Sequence, residues 1–219
     1  MVRTLRLVRI TGWTLTAIAA ILTAAALMHL SQYRANTGSA LPVWGSVPDF
    51  QFVTQDGHTL SLGDLRGKVW VANFFFTSCA GICPPMQANM QRVQEAFAQQ
   101  PEVQLVSFTV DPERDTVQTL NRYAKQRGAL PGKWYFLTGD KSRIYRLARE
   151  GFKLAAVDAS VGQSVGVNGD SPKHDFIHSE KCVLVDTHGR IRGYYRGTDT
   201  AEMTRLIGDV QLLLDEREP

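Results

Sequence analysis

Residues 69–76 form an apolar run broken only by Asn73, and through Thr77 and Ser78 it leads directly into Cys79, Cys83, Pro84 and Pro85. A continuous apolar run of this length predicts a strand buried on both faces, as in a parallel sheet covered by helices on either side. The prolines suit the first turn of a helix, where a missing N–H costs nothing. A strand, two thiols and a helix start are therefore predicted in immediate succession. At a helix start residues i and i+4 share a side, so the Cys79 and Cys83 sulfurs could close on one metal ion. The same pair could instead form a disulfide or pack as two small hydrophobes. The positive end of the helix dipole is expected to lower a nearby thiol's pKa and favour the thiolate, the form that binds metal or attacks a disulfide.

The flanking segments point to a fold. Residues 50–53 and 59–62 alternate about an Asp56-Gly57 turn and predict a β-hairpin. Residues 84–99 predict a helix with Met86, Met90, Val93 and Phe97 as its inward stripe. Met86 is soft enough to be a ligand, but methionines at helical spacing usually fill core gaps. A strand over 103–110 and a helix over 116–127 follow, the helix turning Val117, Leu120, Tyr123 and Ala124 inward. Asp111 ends that strand, either to cap the next turn or to shape the thiol site, and Arg114 with Asp115 reads as an ion pair. A short strand at 134–137 and a helix capped by Asp140 come next. Residues 153–177 are too long and irregular for a simple connector and predict a functional loop or hairpin insert. Strands at 182–186 and 191–196 form a second hairpin. Asp199 and Glu202 then open an amphipathic helix carrying Met203, Leu206, Ile207, Val210, Leu213 and Leu214. This order predicts an α/β, thioredoxin-like sandwich with an N-terminal β-hairpin extension.

Residues 10–30 are the one long uncharged run, of the length a helix needs to cross a bilayer. Arg3, Arg6 and Arg9 precede it, which leaves residues 1–9 in the cytoplasm and exports the rest. A cleaved signal peptide is the rival, with Ala24-Ala25-Ala26 as cleavage region. Because the run continues through Leu27, Met28 and Leu30, an uncleaved transmembrane helix is the expectation. Residues 31–47 read as a linker and 48–219 as the exported domain, in a bacterial periplasm or a mitochondrial intermembrane space. The net charge of +3 is spread along the chain, which argues against a nucleic-acid partner. A 44% hydrophobic content supports a core that needs neither disulfide nor metal for stability. Outside the cytoplasm two neighbouring thiols become a disulfide unless something reduces them or a metal holds them. Cys182 makes the count odd, and its place on a predicted buried strand makes it an inert core thiol.

In a thioredoxin-like fold the loop before the third core strand lies opposite the cysteine loop. Thiol oxidoreductases of thioredoxin type carry a proline there, whereas this chain carries His178. Two thiolates and an imidazole form a soft ligand set suited to Cu(I) or zinc. Phe76-Thr77-Ser78-Cys79 running to Cys83-Pro84, Val110-Asp111-Pro112-Glu113-Arg114-Asp115-Thr116, Trp134-Tyr135-Phe136-Leu137-Thr138-Gly139, and His178-Ser179 ahead of Asp186 together resemble the Sco/SenC family of membrane-anchored copper chaperones. The resemblance implies that Cys79, Cys83 and His178 are copper ligands for Cu(I), with Cu(II) also reasonable, and that Asp111 shapes the site from behind them. It further implies copper delivery to the CuA centre of a respiratory cytochrome oxidase. The implied partners are the oxidase subunit carrying that centre, a thioredoxin-like reductant, other copper chaperones and the membrane itself. The chain departs from the family at Ala80-Gly81, where many members have Pro-Asp, and at Val117, where a proline is common. The competing reading is a thiol-disulfide reductase with Cys79 attacking and Cys83 resolving. A peroxiredoxin-like peroxidase lacks its threonine and arginine here, and a closed zinc site lacks a fourth ligand unless His174 or Cys182 joins. His58 and His188 fall in predicted turns and His29 at the outer end of the apolar run.

Overall fold

A computed structural model describes residues 41–154 and 179–216. These build an eight-stranded sheet: β1 (Gly45–Ser46), β2 (Gln51–Thr54), β3 (Thr59–Ser61), β4 (Val69–Phe75), β5 (Val103–Thr109), β6 (Trp134–Thr138), β7 (Lys181–Val185) and β8 (Arg190–Arg196). The spatial order is β1-β8-β7-β4-β5-β6-β2-β3. Strands β4, β5 and β6 run parallel, joined through α1 (Cys83–Ala96) and α2 (Val117–Gln126). Strand β7 is antiparallel to β4, and the predicted N-terminal hairpin adds to the far edge through β2 against β6. Helix α3 (Lys141–Arg146), extended by a wider π-type turn over Leu147–Gly151, α4 (Thr200–Asp215) and a short 3-10 turn over Gly63–Leu65 complete the described elements. This is the thioredoxin-like sandwich that the element order predicts.

The continuous apolar run of β4 is buried along its whole length, and its side chains alternate between two cores. Val69, Val71 and Phe75 pack with Met86, Met90 and Val93 of α1 and Phe97 just beyond it, and with Leu120 and Tyr123 of α2 and Met203 and Leu206 of α4. Trp70, Ala72 and Phe74 face the other core with Phe50, Phe52, Phe108 and Phe152. The strand period of two is what sends neighbours to opposite faces. Asn73, the one polar residue of the run, is fully buried. The Ser107 hydroxyl donates to its side-chain oxygen at 2.6 Å and in turn accepts from the Trp134 indole at 2.9 Å, so this amide oxygen is matched inside the core.

The predicted domain start moves. Gly45 and Ser46 pair with Ile191 and Arg190, and the buried Arg192 guanidinium donates twice to the Leu41 carbonyl, at 2.7 and 3.0 Å. Within residues 41–47, read from their glycine and proline content as linker, Gly45 and Ser46 thus form an edge strand of the sheet and Leu41 is tied to β8. The partners lie about 150 positions away in the chain, beyond any local pattern. Among the described residues no helix is long and apolar enough to cross a membrane. The expected membrane span at 10–30, with His29 at its end, lies outside the described residues, as does most of the expected functional loop at 153–177.

Candidate metal centre

The prolines decide how the two cysteines are presented. In a helix the N–H of Pro84 or Pro85 would have to reach the carbonyl of Ala80 or Gly81, and neither proline has one. The first helical bond is therefore Met86 N–H to the Ile82 carbonyl, at 3.3 Å. Helix α1 begins at Cys83, while Cys79 stays in the preceding turn, where its N–H donates to the Phe76 carbonyl at 3.2 Å. The expectation that both thiols lie on one helix face is corrected accordingly. Cys79 is half-buried on the rim of the core, and Cys83 is buried within it. All three cysteines are free thiols.

The expected lowering of a thiol pKa by the helix end does not hold at Cys83. Burial first, and next a hydrogen bond with the neighbouring Cys79 thiol, push the Cys83 thiol up to about 12. A hydrogen bond from the Phe76 backbone and the charge of Arg127 work in the opposite direction without overcoming them. Two of the first-turn N–H donors that would stabilise a thiolate are missing because the residues are prolines. Desolvation then wins. At neutral pH Cys83 is a protonated thiol whose proton a metal ion must displace.

Asp115 ties the cysteine loop to the sheet. Its carboxylate accepts from the Thr77 N–H at 3.0 Å and from the hydroxyls of Thr77 and Thr109. The expected Arg114–Asp115 ion pair is not formed. Arg114, mostly exposed, lies instead 3.8 Å from the Asp111 carboxylate. A buried carboxylate ringed by two threonines needs no cation, because hydroxyl and backbone donors satisfy it. The threonines at 77 and 109 and the aspartate six residues beyond were the available signal in the sequence, but only the fold brings them together.

Asp111 is buried, and its carbonyl accepts from the N–H groups of Arg114 and Asp115 at 3.1 and 2.9 Å, as a turn-forming residue would. One of its carboxylate oxygens makes no hydrogen bond. Tyr123 of α2 stacks on Phe75 at 5.3 Å between ring centres, and the Arg127 guanidinium sits 4.9 Å over its ring. Arg127, which nothing in the sequence singles out, supplies the cation felt by Cys83 and Tyr123.

His178 and His174 lie outside the described residues. The register of β7 against β4 pairs Cys182 with Asn73, which carries Ser179 towards the end of the sheet where β4 runs into the cysteine loop. Met86 is fully buried, as core spacing predicts. Cys182 is fully buried 3.7 Å from the Met90 sulfur, and burial alone pushes its thiol up to about 12. His58 and His188 are exposed turn residues.

Two consequences follow for Cys182. Brief alkylation of the native protein, read by mass spectrometry, is expected to modify Cys79 and to reach Cys182 only after urea is added; equal rates would refute its burial. Because the folded state holds this thiol neutral, its contribution to stability is whole below about pH 9 and is lost as the pH rises towards 12.

Among known proteins, the SCO1/SenC family profile matches residues 45–213, which takes in the cysteine loop, Asp115 and the strands that carry them. The chain belongs to the SCO1/SenC family. A SCO1 protein homolog of Bacillus subtilis is 35% identical over 172 residues, 78% of this chain and 83% of that protein. A Stutzerimonas stutzeri protein, named as a candidate copper-binding protein, is 31% identical over 162 residues, covering 71% and 72% of the two chains. The solved structure of BsSco, described as having a disulfide switch and as a member of the Sco family of cytochrome c oxidase assembly proteins, superposes with a TM-score of 0.62. It is 32% identical and covers 78% of this chain and 94% of its own. This SCO1/SenC chain therefore keeps the family's fold around its thiol pair.

Proposed function

We propose that this chain is a membrane-anchored copper metallochaperone that delivers copper to the CuA centre of a respiratory cytochrome oxidase. The observation that carries the reading is the thiol pair itself: a half-buried Cys79 and a buried Cys83 meet where β4 passes into α1. Two sulfurs with an imidazole suit a soft ion, and His178 is the proposed third ligand. Family membership, the copper-binding name of the Stutzerimonas relative and the oxidase-assembly description of BsSco support the same reading. Copper is cargo here. Cys83 gives up its proton as the ion arrives, and Cys79, at the rim, is the sulfur a partner's ligands displace first. Cu(I) is the form such sulfurs favour, and Cu(II) is reasonable through the imidazole. Asp111 is proposed to shape the site from behind the ligands.

Residues 10–30 are proposed as the anchor that holds the domain from Leu41 onward on the outer side of a bacterial or mitochondrial inner membrane. The proposed partners are the oxidase subunit with the CuA site, a thioredoxin-like reductant that keeps the thiols reduced, and other copper chaperones.

The second reading, a thiol-disulfide reductase, is favoured by one observation: the unequal exposure of the two thiols suits an attacking and a resolving pair. Titration with Cu(I) against a competing chelator, using reduced protein without oxygen, separates the two. One tight equivalent that His178→Ala weakens at least about tenfold is the result expected of a chaperone. Weak binding, or binding unchanged by the substitution while disulfide reduction persists, would leave the reductase.

A further inference from the structure

Val43 and Trp44 are adjacent, and at 53% and 56% exposure they are the most exposed large apolar side chains among the described residues. A single exposed hydrophobe is ordinary on a protein surface. Here Trp44 is fixed at its backbone and its ring while staying exposed. The Trp44 N–H donates to the Ile191 carbonyl at 2.9 Å, and the Trp44 carbonyl accepts from the Lys153 ammonium at 3.2 Å. Its indole meets Tyr194 edge-on at 6.1 Å, and the Tyr194 hydroxyl is itself fixed by donating to the Phe152 carbonyl at 3.1 Å. Lys153 takes a left-handed backbone conformation, φ 53°, to bring its amine there, which is uncommon for a residue with a side chain. The fold thus presents a braced tryptophan with a cation beside it.

We infer that Val43 and Trp44 form an interfacial membrane contact, with the Lys153 ammonium beside them attracting anionic lipid headgroups, so that this edge of the domain lies on the bilayer. The inference rests on the reading of residues 10–30 as a membrane anchor. The occupant is identified by where the chain leads. The apolar run ends at Leu30, and residues 31–43 can span at most about 45 Å even if fully extended, so Val43 and Trp44 are the first exposed large apolar side chains met among the described residues after that tether. An indole has an apolar body and an N–H, the combination that concentrates tryptophan at the level of lipid headgroups. The Lys153 ammonium uses one of its three donors on Trp44 and keeps two for phosphate oxygens.

The test uses the full chain, reconstituted in vesicles of phosphatidylethanolamine and phosphatidylglycerol whose acyl chains carry bromine, a contact quencher of indole. Trp13 lies in the proposed span, so Trp13→Phe is the background. Trp70 and Trp134 are fully buried and contribute a constant signal. Emission that disappears in the additional variant Trp44→Phe belongs to Trp44. It is expected to shift to shorter wavelength on reconstitution and to lose most of its intensity to brominated lipid, with less loss for Lys153→Glu. If the protein floats with the vesicles and resists alkaline extraction while Trp44 emission is unquenched, the anchor stands and the interfacial contact is excluded. If the protein does not float with the vesicles, both readings fall.

Discussion

Replacing Asp115 with alanine is expected to lower stability by about 3 kcal/mol and to weaken copper binding at the proposed site in the same step. The carboxylate is buried and is the common acceptor for the Thr77 N–H and for the hydroxyls of Thr77 and Thr109. A hydrogen bond to a charged group contributes more than a neutral one, and each donor left unmatched inside the protein adds its own desolvation cost. The hydroxyls can rotate towards other acceptors, whereas the Thr77 N–H is fixed by the backbone and cannot. Thr77 stands two residues before Cys79, so the loop that loses its tether is the one that presents the rim thiol. Asparagine keeps one acceptor oxygen and should fall between alanine and aspartate. Urea unfolding midpoints, paired with Cu(I) competition, read both effects. An Asp115→Ala protein that unfolds at the parent midpoint would show that the tether contributes nothing.

Phe108→Ala should cost about 4 kcal/mol yet leave the copper affinity of the folded protein unchanged. Its ring is fully buried among Phe50, Phe52, Phe74 and Phe152, with centroid distances of 5.4, 5.9, 5.0 and 5.9 Å. Truncation removes apolar contact from all four rings and leaves a cavity that a rigid sheet closes only in part. That core lies on the opposite face of the sheet from Cys83, Met86 and Tyr123. Denaturant unfolding reads the loss, and copper competition at low temperature reads the site. A matched fall in affinity would mean that the two faces are coupled. The contrast between the two variants separates a residue that serves the site from one that serves only the fold.

What the sequence determined by itself was local. An apolar run interrupted only by Asn73 made β4 a central strand, helical spacing put Met86, Met90 and Val93 inside, and side-chain caps marked helix starts where Asp140 accepts from the Arg143 N–H and Asp199 from those of Ala201 and Glu202. Each depends on residues within about one turn of one another, so neighbouring letters carry the information. The thiol pair and its strand-to-helix setting were legible for the same reason. The missing N–H groups of Pro84 and Pro85, which end the helix short of Cys79, were also written there, although their effect on the geometry of the pair lies in the hydrogen bonds of the folded chain. Tertiary structure alone decided that Asp115 holds Thr77, 38 residues away, that Arg127 stands over Tyr123 beside the thiols, and that residues 45–46 close the sheet against β8. It also decided the state of Cys83, because a thiol's pKa follows from how completely distant segments strip it of water, and no local pattern records that.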